Sequence, residues 1–370
     1  MMLTFELKKH IFNKKFFILS TLLIVCVLLL FSRNFVFQSY IPKEQLQEID
    51  NYIKTSQKNG TQYEEVLKNE PNNEEIKQLQ KLNYMMINIL YDWRNTRSSN
   101  DWKSNLQLEN DFLTVALQFK ELGGDFPLSQ TEMNRTITFN EKLLELNIKP
   151  EHENYSIALP NFLKNVIDLL MNFGAFILII LFIGDTLSSE YENRTANLLY
   201  TQPLNKANII NAKFITSIFV YLISVLLIII ITFITTYLFG KKGTFSYPVM
   251  IERNQSLDFI SIGDYILQGM TIVTCLVLLL ISLLLFFSLL VKHTLTTIFL
   301  VMVTFALGYM ISLINWNILY WVNPFQYLLA SDKILIQNEY VWYQGIPSAL
   351  LITMIFYIIN IVKIKSSRVV

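Results

Sequence analysis

The sequence predicts an all-α membrane protein: six transmembrane helices, an N-terminal amphipathic elbow helix, and a mainly helical extracellular domain between spans one and two. Three observations predict it. Of the 370 residues, 52% are apolar and only 16% charged, and the mean hydropathy of +0.38 is too high for an ordinary soluble domain. Apolar residues gather into six runs, most of them near the roughly 20 residues that cross a hydrocarbon core of about 30 Å. A polar stretch of 123 residues, 38–160, separates the first run from the rest.

Composition also excludes several classes. Thirty Lys and Arg against 29 Asp and Glu leave a charge of +1, with no basic excess for nucleic acid. Eleven Gly, nine Pro and 14% aromatics are not those of a disordered or collagen-like chain. Both cysteines, Cys26 and Cys275, fall inside apolar runs, so no disulfide-stapled exterior domain is expected. His10, His152 and His293 lie far apart, with no HExxH and no zinc-type Cys/His spacing. No catalytic residue, metal or cofactor is therefore expected.

The elements follow in order. Leu3, Leu7, Ile11 and Phe12 share one helical face, with Lys8, Lys9, Lys14 and Lys15 around the other. This is the pattern of an elbow helix lying in the bilayer interface, although a basic leader serving only topology has the same composition. The first span, Phe16 to Phe37, is too long for a signal-peptide core and has no small-x-small site after it. Domain one is thus 1–37.

Residues 38–160 form the second domain, with 19 acidic and 13 basic residues, a charge of −6. Ile76, Leu79, Leu82, Met86, Ile89 and Trp93 recur at helical spacing, and Phe112, Leu113, Ala116, Leu117 and Phe119 form a second amphipathic run. Breaks at Asn59-Gly60, Pro71-Asn72 and Gly123-Gly124 predict helical hairpins. The acidity suits a cap that receives a cationic or amphipathic molecule, and equally an ordinary solvated surface.

The third domain, 161–370, holds five more spans at about 163–184, 214–239, 265–291, 294–318 and 346–362. Val291-Lys292-His293-Thr294 predicts a tight turn between spans four and five, with a single long helix as the alternative. Asp168 is the clear ionisable residue within a span, and Lys164, one turn earlier, is its expected partner. Tyr320, Trp321, Trp342 and Tyr343 flank the last loop as an interfacial belt, and 327–336 is apolar enough for a short re-entrant helix.

An even number of spans puts both termini on one side. That side carries eleven basic residues in its short segments (Lys8, Lys9, Lys14, Lys15, Arg194, Lys206, Lys213, Lys292, Lys363, Lys365 and Arg368). The opposite short loops carry four: Lys241, Lys242, Arg253 and Lys333. Basic residues resist translocation, so both termini are expected in the cytoplasm and 38–160 outside the cell.

Between spans two and three, the segment from Gly184 to Lys213 is longer than a turn requires. Glu190, Glu192 and Arg194 precede Leu198, Leu199 and Tyr200, and Pro203 halts the run. A surface helix at about 186–205 with an apolar side suits a protein partner. Acidic-x-x-x-Arg-Thr, then Leu-Leu, then Gln-Pro-Leu and a Lys opening the next span resembles the coupling segment of ABC-2 type ABC transporter permeases. The basic elbow, the six spans and Val322-Asn323-Pro324-Phe325-Gln326-Tyr327-Leu328 after span five extend the likeness over most of the chain. The 123-residue insert departs from the simplest members.

The resemblance implies a transporter subunit rather than an enzyme: the permease of an ATP-driven exporter, with hydrolysis on a separate nucleotide-binding ATPase subunit. It also implies a second permease half, as a homodimer or a related chain. The sequence holds no GxxxxGK[ST] phosphate cradle of its own. Glu190, Glu192 and Arg194 are then expected to dock the coupling helix, and Leu198, Leu199 and Tyr200 to fill the partner's groove; a bare Glu190–Arg194 helical pair is the alternative. An amphipathic or antimicrobial peptide, or another hydrophobic substrate, suits the apolar pathway. A membrane receptor or scaffold, sensing through the extracellular domain and docking a partner at the same loop, is the rival class.

Overall fold

The computed structural model describes residues 2–97, 101–196, 205–314, 316, 318–337 and 341–366. They divide into two compact units: Met1–Phe31, Ile157–Phe245 and Ile251–Val370 in one, Ser32–Ser156 and Ser246–Met250 in the other. Among the described residues, six helices are long and apolar enough to cross a membrane.

In the first unit the elbow helix, Met2–Ile11, turns through Asn13 into span one, Lys14–Phe37. The Asn13 side chain accepts the Lys15 backbone N–H at 3.1 Å, filling one of the donors that a helix start leaves open. Span three is Lys206–Phe239, with Asn205 as its cap. Span four, Ile262–Val291, is the most enclosed of the six, and span one the least. Spans four and six (Ile346–Ser366) are tied by a buried bond, Asn360 Nδ2 donating to the Ser282 carbonyl at 2.9 Å.

The expected break between spans four and five is present. Lys292 takes the left-handed conformation (φ 58°) as the cap of span four, and span five, Thr294–Ser312, starts two residues on, so the single long helix is excluded. Span five is shorter than its apolar run. The chain beyond it folds into Leu319–Val322, a 3-10 turn Pro324–Leu328 and a short helix Ala330–Leu335, the last within the stretch read as apolar enough for one. Asn323 organises this region by capping the Phe325 N–H and donating to the Gly308 carbonyl at 2.8 Å. A side chain at Gly308 would meet the Phe325 ring at 2.3 Å, so only glycine admits that approach.

Span two departs most from expectation. It consists of Leu159–Leu169, a π-type segment Leu170–Gly174 and Ala175–Ile183, with Asn172 at φ −87°, ψ −116°. Ser331 Oγ donates to Asn172 Oδ1 at 2.8 Å across the break. π-segments inside helices arise frequently at functional positions. Near the start of this span the expected Lys164–Asp168 pair forms at 3.1 Å, and Tyr265 donates to the same carboxylate at 2.8 Å. The loop between spans three and four also holds a hairpin that periodicity did not predict. Strands β1 (Pro248–Arg253) and β2 (Ser256–Ser261) meet at Asn254 and Gln255, both at positive φ, as a two-residue turn requires. Strand β3 (Ile336–Gln337) joins β1 in parallel.

The second unit holds four helices: Ile41–Asn69, Glu74–Thr96, Trp102–Glu121 and Gln130–Leu146. Asn73, Asp101 and Ser129 cap the last three through their side chains. Ile49, Met86, Leu90, Phe112, Phe119 and Met133 form a core with almost no exposure. Burying each such side chain is worth about 1.5–3 kcal/mol. The expected breaks at Pro71-Asn72 and Gly123-Gly124 are present, but that at Asn59-Gly60 is not. The first helix runs straight through it: Gly60 is a close-approach residue, where an added Cβ would sit 3.1 Å from Asn83 Nδ2, and Asn59 donates to the Asp125 carbonyl.

Candidate coupling site

Lys213 lies two turns into span three and is fully buried. An ammonium with no water must be matched by acceptors at close range. Its Nζ donates to Glu190 Oε1 at 2.7 Å, to the Thr186 carbonyl at 3.0 Å and to both carboxylate oxygens of Glu6 at 3.3 Å. Glu6 is likewise fully buried, on the inner face of the elbow helix. Lys9, one turn further on, reaches Glu190 Oε1 at 2.9 Å. Two cations and two anions thus join the elbow helix, span three and the short helix Ser188–Glu192 in one neutral cluster. Beside it, Lys15 pairs with Asp185 at 2.8 Å.

Glu192 holds the other side of that short helix. Its carboxylate accepts the Thr294 N–H at 2.7 Å and the Thr294 hydroxyl at 2.9 Å, so it caps span five from outside, and the Ser188 hydroxyl lies within hydrogen-bond distance of Thr294 Oγ1, which can accept from it. His293, the residue in the cap position, offers no side-chain cap of its own. Replacing Glu192 by alanine is expected to lower the unfolding temperature in detergent slightly, through loss of the cap on span five.

A cleft of about 60 Å³, lined by Lys9, His10, Asn13, Lys15, Asp185 and Ser189 among others, opens beside the cluster. His10 lies at its edge and is pushed down to about 4, first by burial and then by the Lys213 charge; Lys9 and Lys15 act in the same sense and Asp185 against it. A histidine held neutral in the folded state contributes stability that is complete above its unfolded value near 6.5 and is lost as pH falls toward 4. Acidification across that window is expected to loosen the elbow helix. A probe attached at exposed Phe12, after its replacement by cysteine, should gain mobility in wild type and much less in a His10→Gln background.

The sequence placed six residues at a partner surface. Glu190 faces inward at 2% exposure, with its carboxylate in the cluster. Glu192 is exposed but spent on Thr294. Arg194 is exposed and takes the left-handed conformation (φ 59°), past the end of the helix at Glu192, so no helical register joins it to Glu190. Leu198, Leu199 and Tyr200 lie outside the described residues. Glu6 and Lys213 were missed as partners; the signals were a lone acid in a basic elbow and a lone lysine two turns inside an apolar span.

An elbow helix, six helices long and apolar enough to cross a membrane and a charged cluster locking the loop after span two describe a multi-pass helical membrane protein. A sequence model of the ABC-2 family transporter proteins matches residues 2–354, and the chain belongs to that family. No curated protein and no solved structure matches it.

Proposed function

We propose that this permease subunit works in an ATP-driven exporter, moving a hydrophobic or amphipathic substrate outward in response to a separate ATPase subunit that docks on the segment after Ser188–Glu192. The observation that carries the reading is the double attachment of this short helix: Glu190 to Lys213 and the elbow helix on one side, Glu192 to span five on the other. A displacement imposed there reaches the elbow helix and spans three and five at once. Glu190 and Glu192 act as internal transmitters, and the docking surface belongs to Arg194 and to Leu198, Leu199 and Tyr200. A second permease half, a homodimer partner or a related chain, completes the pathway, as the family implies. Both termini face the cytoplasm and the four-helix domain faces outward, a reading supported by the eleven basic residues on the terminal side against four on the other.

The test is purification of the full chain in nanodiscs from its native host. The expected result is a stoichiometric nucleotide-binding chain with vanadate-sensitive hydrolysis, lost from the complex when Leu198, Leu199 and Tyr200 are all replaced by serine. A single chain without ATPase activity would overturn the reading in favour of a receptor or scaffold.

A further inference from the structure

The four-helix domain contains a cavity of about 120 Å³. Cavities near this size take up a benzene-sized molecule when their walls are apolar, but these walls are mixed. Tyr52, Trp93 and Phe112 supply aromatic faces, with the Phe112 ring centroid 5.6 Å from that of Tyr52 and 5.9 Å from that of Trp93. Glu48, Glu109 and Glu132 line the same space together with Arg97. Gln45 and Thr136 complete the polar part of the lining, so three carboxylates and one guanidinium face a space that is apolar on the side of Tyr52, Trp93, Phe112 and Met133.

Two groups there have room for a further partner. Trp93 is 6% exposed, and among the described residues its Nε1–H has no acceptor; a buried donor without a partner is rare in native structures. Arg97 is half-buried, and among the described residues it comes within 4.0 Å of no carboxylate, although it feels the charges of Glu109 and Glu48. Tyr52 already donates to Glu48 at 2.6 Å and Asn110 accepts from Asn140 at 3.0 Å, so the frame around these two groups is set.

We propose that this cavity is a binding site for a small zwitterion of amino-acid size with an apolar side chain. Its carboxylate answers Arg97 and the Trp93 N–H, its ammonium answers Glu109 and the Glu48 and Glu132 rim, and its side chain lies against Tyr52, Phe112 and Met133. The ammonium adds to carboxylates that already accept from Tyr52 (Glu48) and Asn140 (Glu109), while the aromatic faces suit the apolar side chain. Burial also pushes the Glu109 carboxyl up, so an arriving ammonium restores the charge that burial opposes.

The experiment uses the full chain in nanodiscs with radiolabelled L-leucine as probe, and cadaverine (amine only) and isovalerate (carboxylate only) as competitors. The expected result is saturable leucine binding that neither competitor displaces at equal concentration. Arg97→Gln and Glu109→Gln should each weaken it about tenfold or more, the loss of one charge-assisted contact. Trp93→Phe, which keeps an aromatic ring and removes the N–H, should weaken it several-fold. Unchanged thermal unfolding of the variants shows that they fold. Absence of saturable binding to the unaltered protein up to millimolar leucine would overturn the proposal. So would displacement by cadaverine alone, which marks a simple cation site, or binding that the two charge variants leave intact.

Discussion

Replacing Lys213 by methionine will destabilise the chain by about 3–5 kcal/mol, the cost of leaving buried charges without their partner. Methionine fills the space of the lysine stem but leaves the fully buried Glu6 carboxylate unmatched and Glu190 with Lys9 alone. Thermal unfolding in detergent measures the loss. A triple variant, Lys213→Met with Glu6→Gln and Glu190→Gln, should recover most of it, because no buried charge is then stranded. The triple variant separates stability from coupling: it is expected to fold and to capture the ATPase chain, while transport-linked hydrolysis falls. A Lys213→Met protein as stable as the parent would show that the cluster contributes little to the fold.

Replacing Phe112 by alanine will cost the four-helix domain about 3–5 kcal/mol, the range for removing a fully buried aromatic side chain. Phe112 has no exposure, and its ring contacts those of Tyr52, Trp93 and Phe126 at 5.6, 5.9 and 5.7 Å. Small domains have roughly 5–15 kcal/mol in total, so a loss of this size populates the unfolded state. Limited proteolysis should then cleave within 41–146 at a much higher rate. Membrane insertion and capture of the ATPase chain should persist, because Phe112 belongs to the core of the four-helix unit. Uniform loss of both would show that the two units fold as one.

Much of this architecture was legible in the sequence, for identifiable reasons. A bilayer imposes a minimum length on apolar runs, so all six spans stood out, and Lys292-His293 sufficed to separate two of them. Local chemistry likewise showed the Pro71-Asn72 and Gly123-Gly124 breaks and the Lys164–Asp168 pair, each decided within a few residues. What escaped depends on distance along the chain. Glu6 and Lys213 are 207 residues apart, and nothing local distinguishes Lys213 from a residue that only marks topology. Gly60 reads as a breaker in isolation and becomes a packing residue only when Asn83 arrives beside it. Asn172 lies in an apolar run whose hydropathy carries no trace of a backbone break. For the candidate site, the direction of the side chains was not legible: Glu190 and Glu192 are both acidic in an otherwise similar setting, yet one is enclosed and the other serves as a helix cap.

The break at Asn172 makes span two a jointed rod. Its two parts have separate anchors: the part with Lys164 and Asp168 is pinned by Tyr265, while Phe182 in the other leans on Phe16 of span one, three residues before Asp185 and its tie to Lys15. A torque applied at the Ser188–Glu192 end therefore need not turn the far end by the same angle. The difference is expected to fall where the helix is already irregular, beside the hydrogen bond from Ser331 to Asn172.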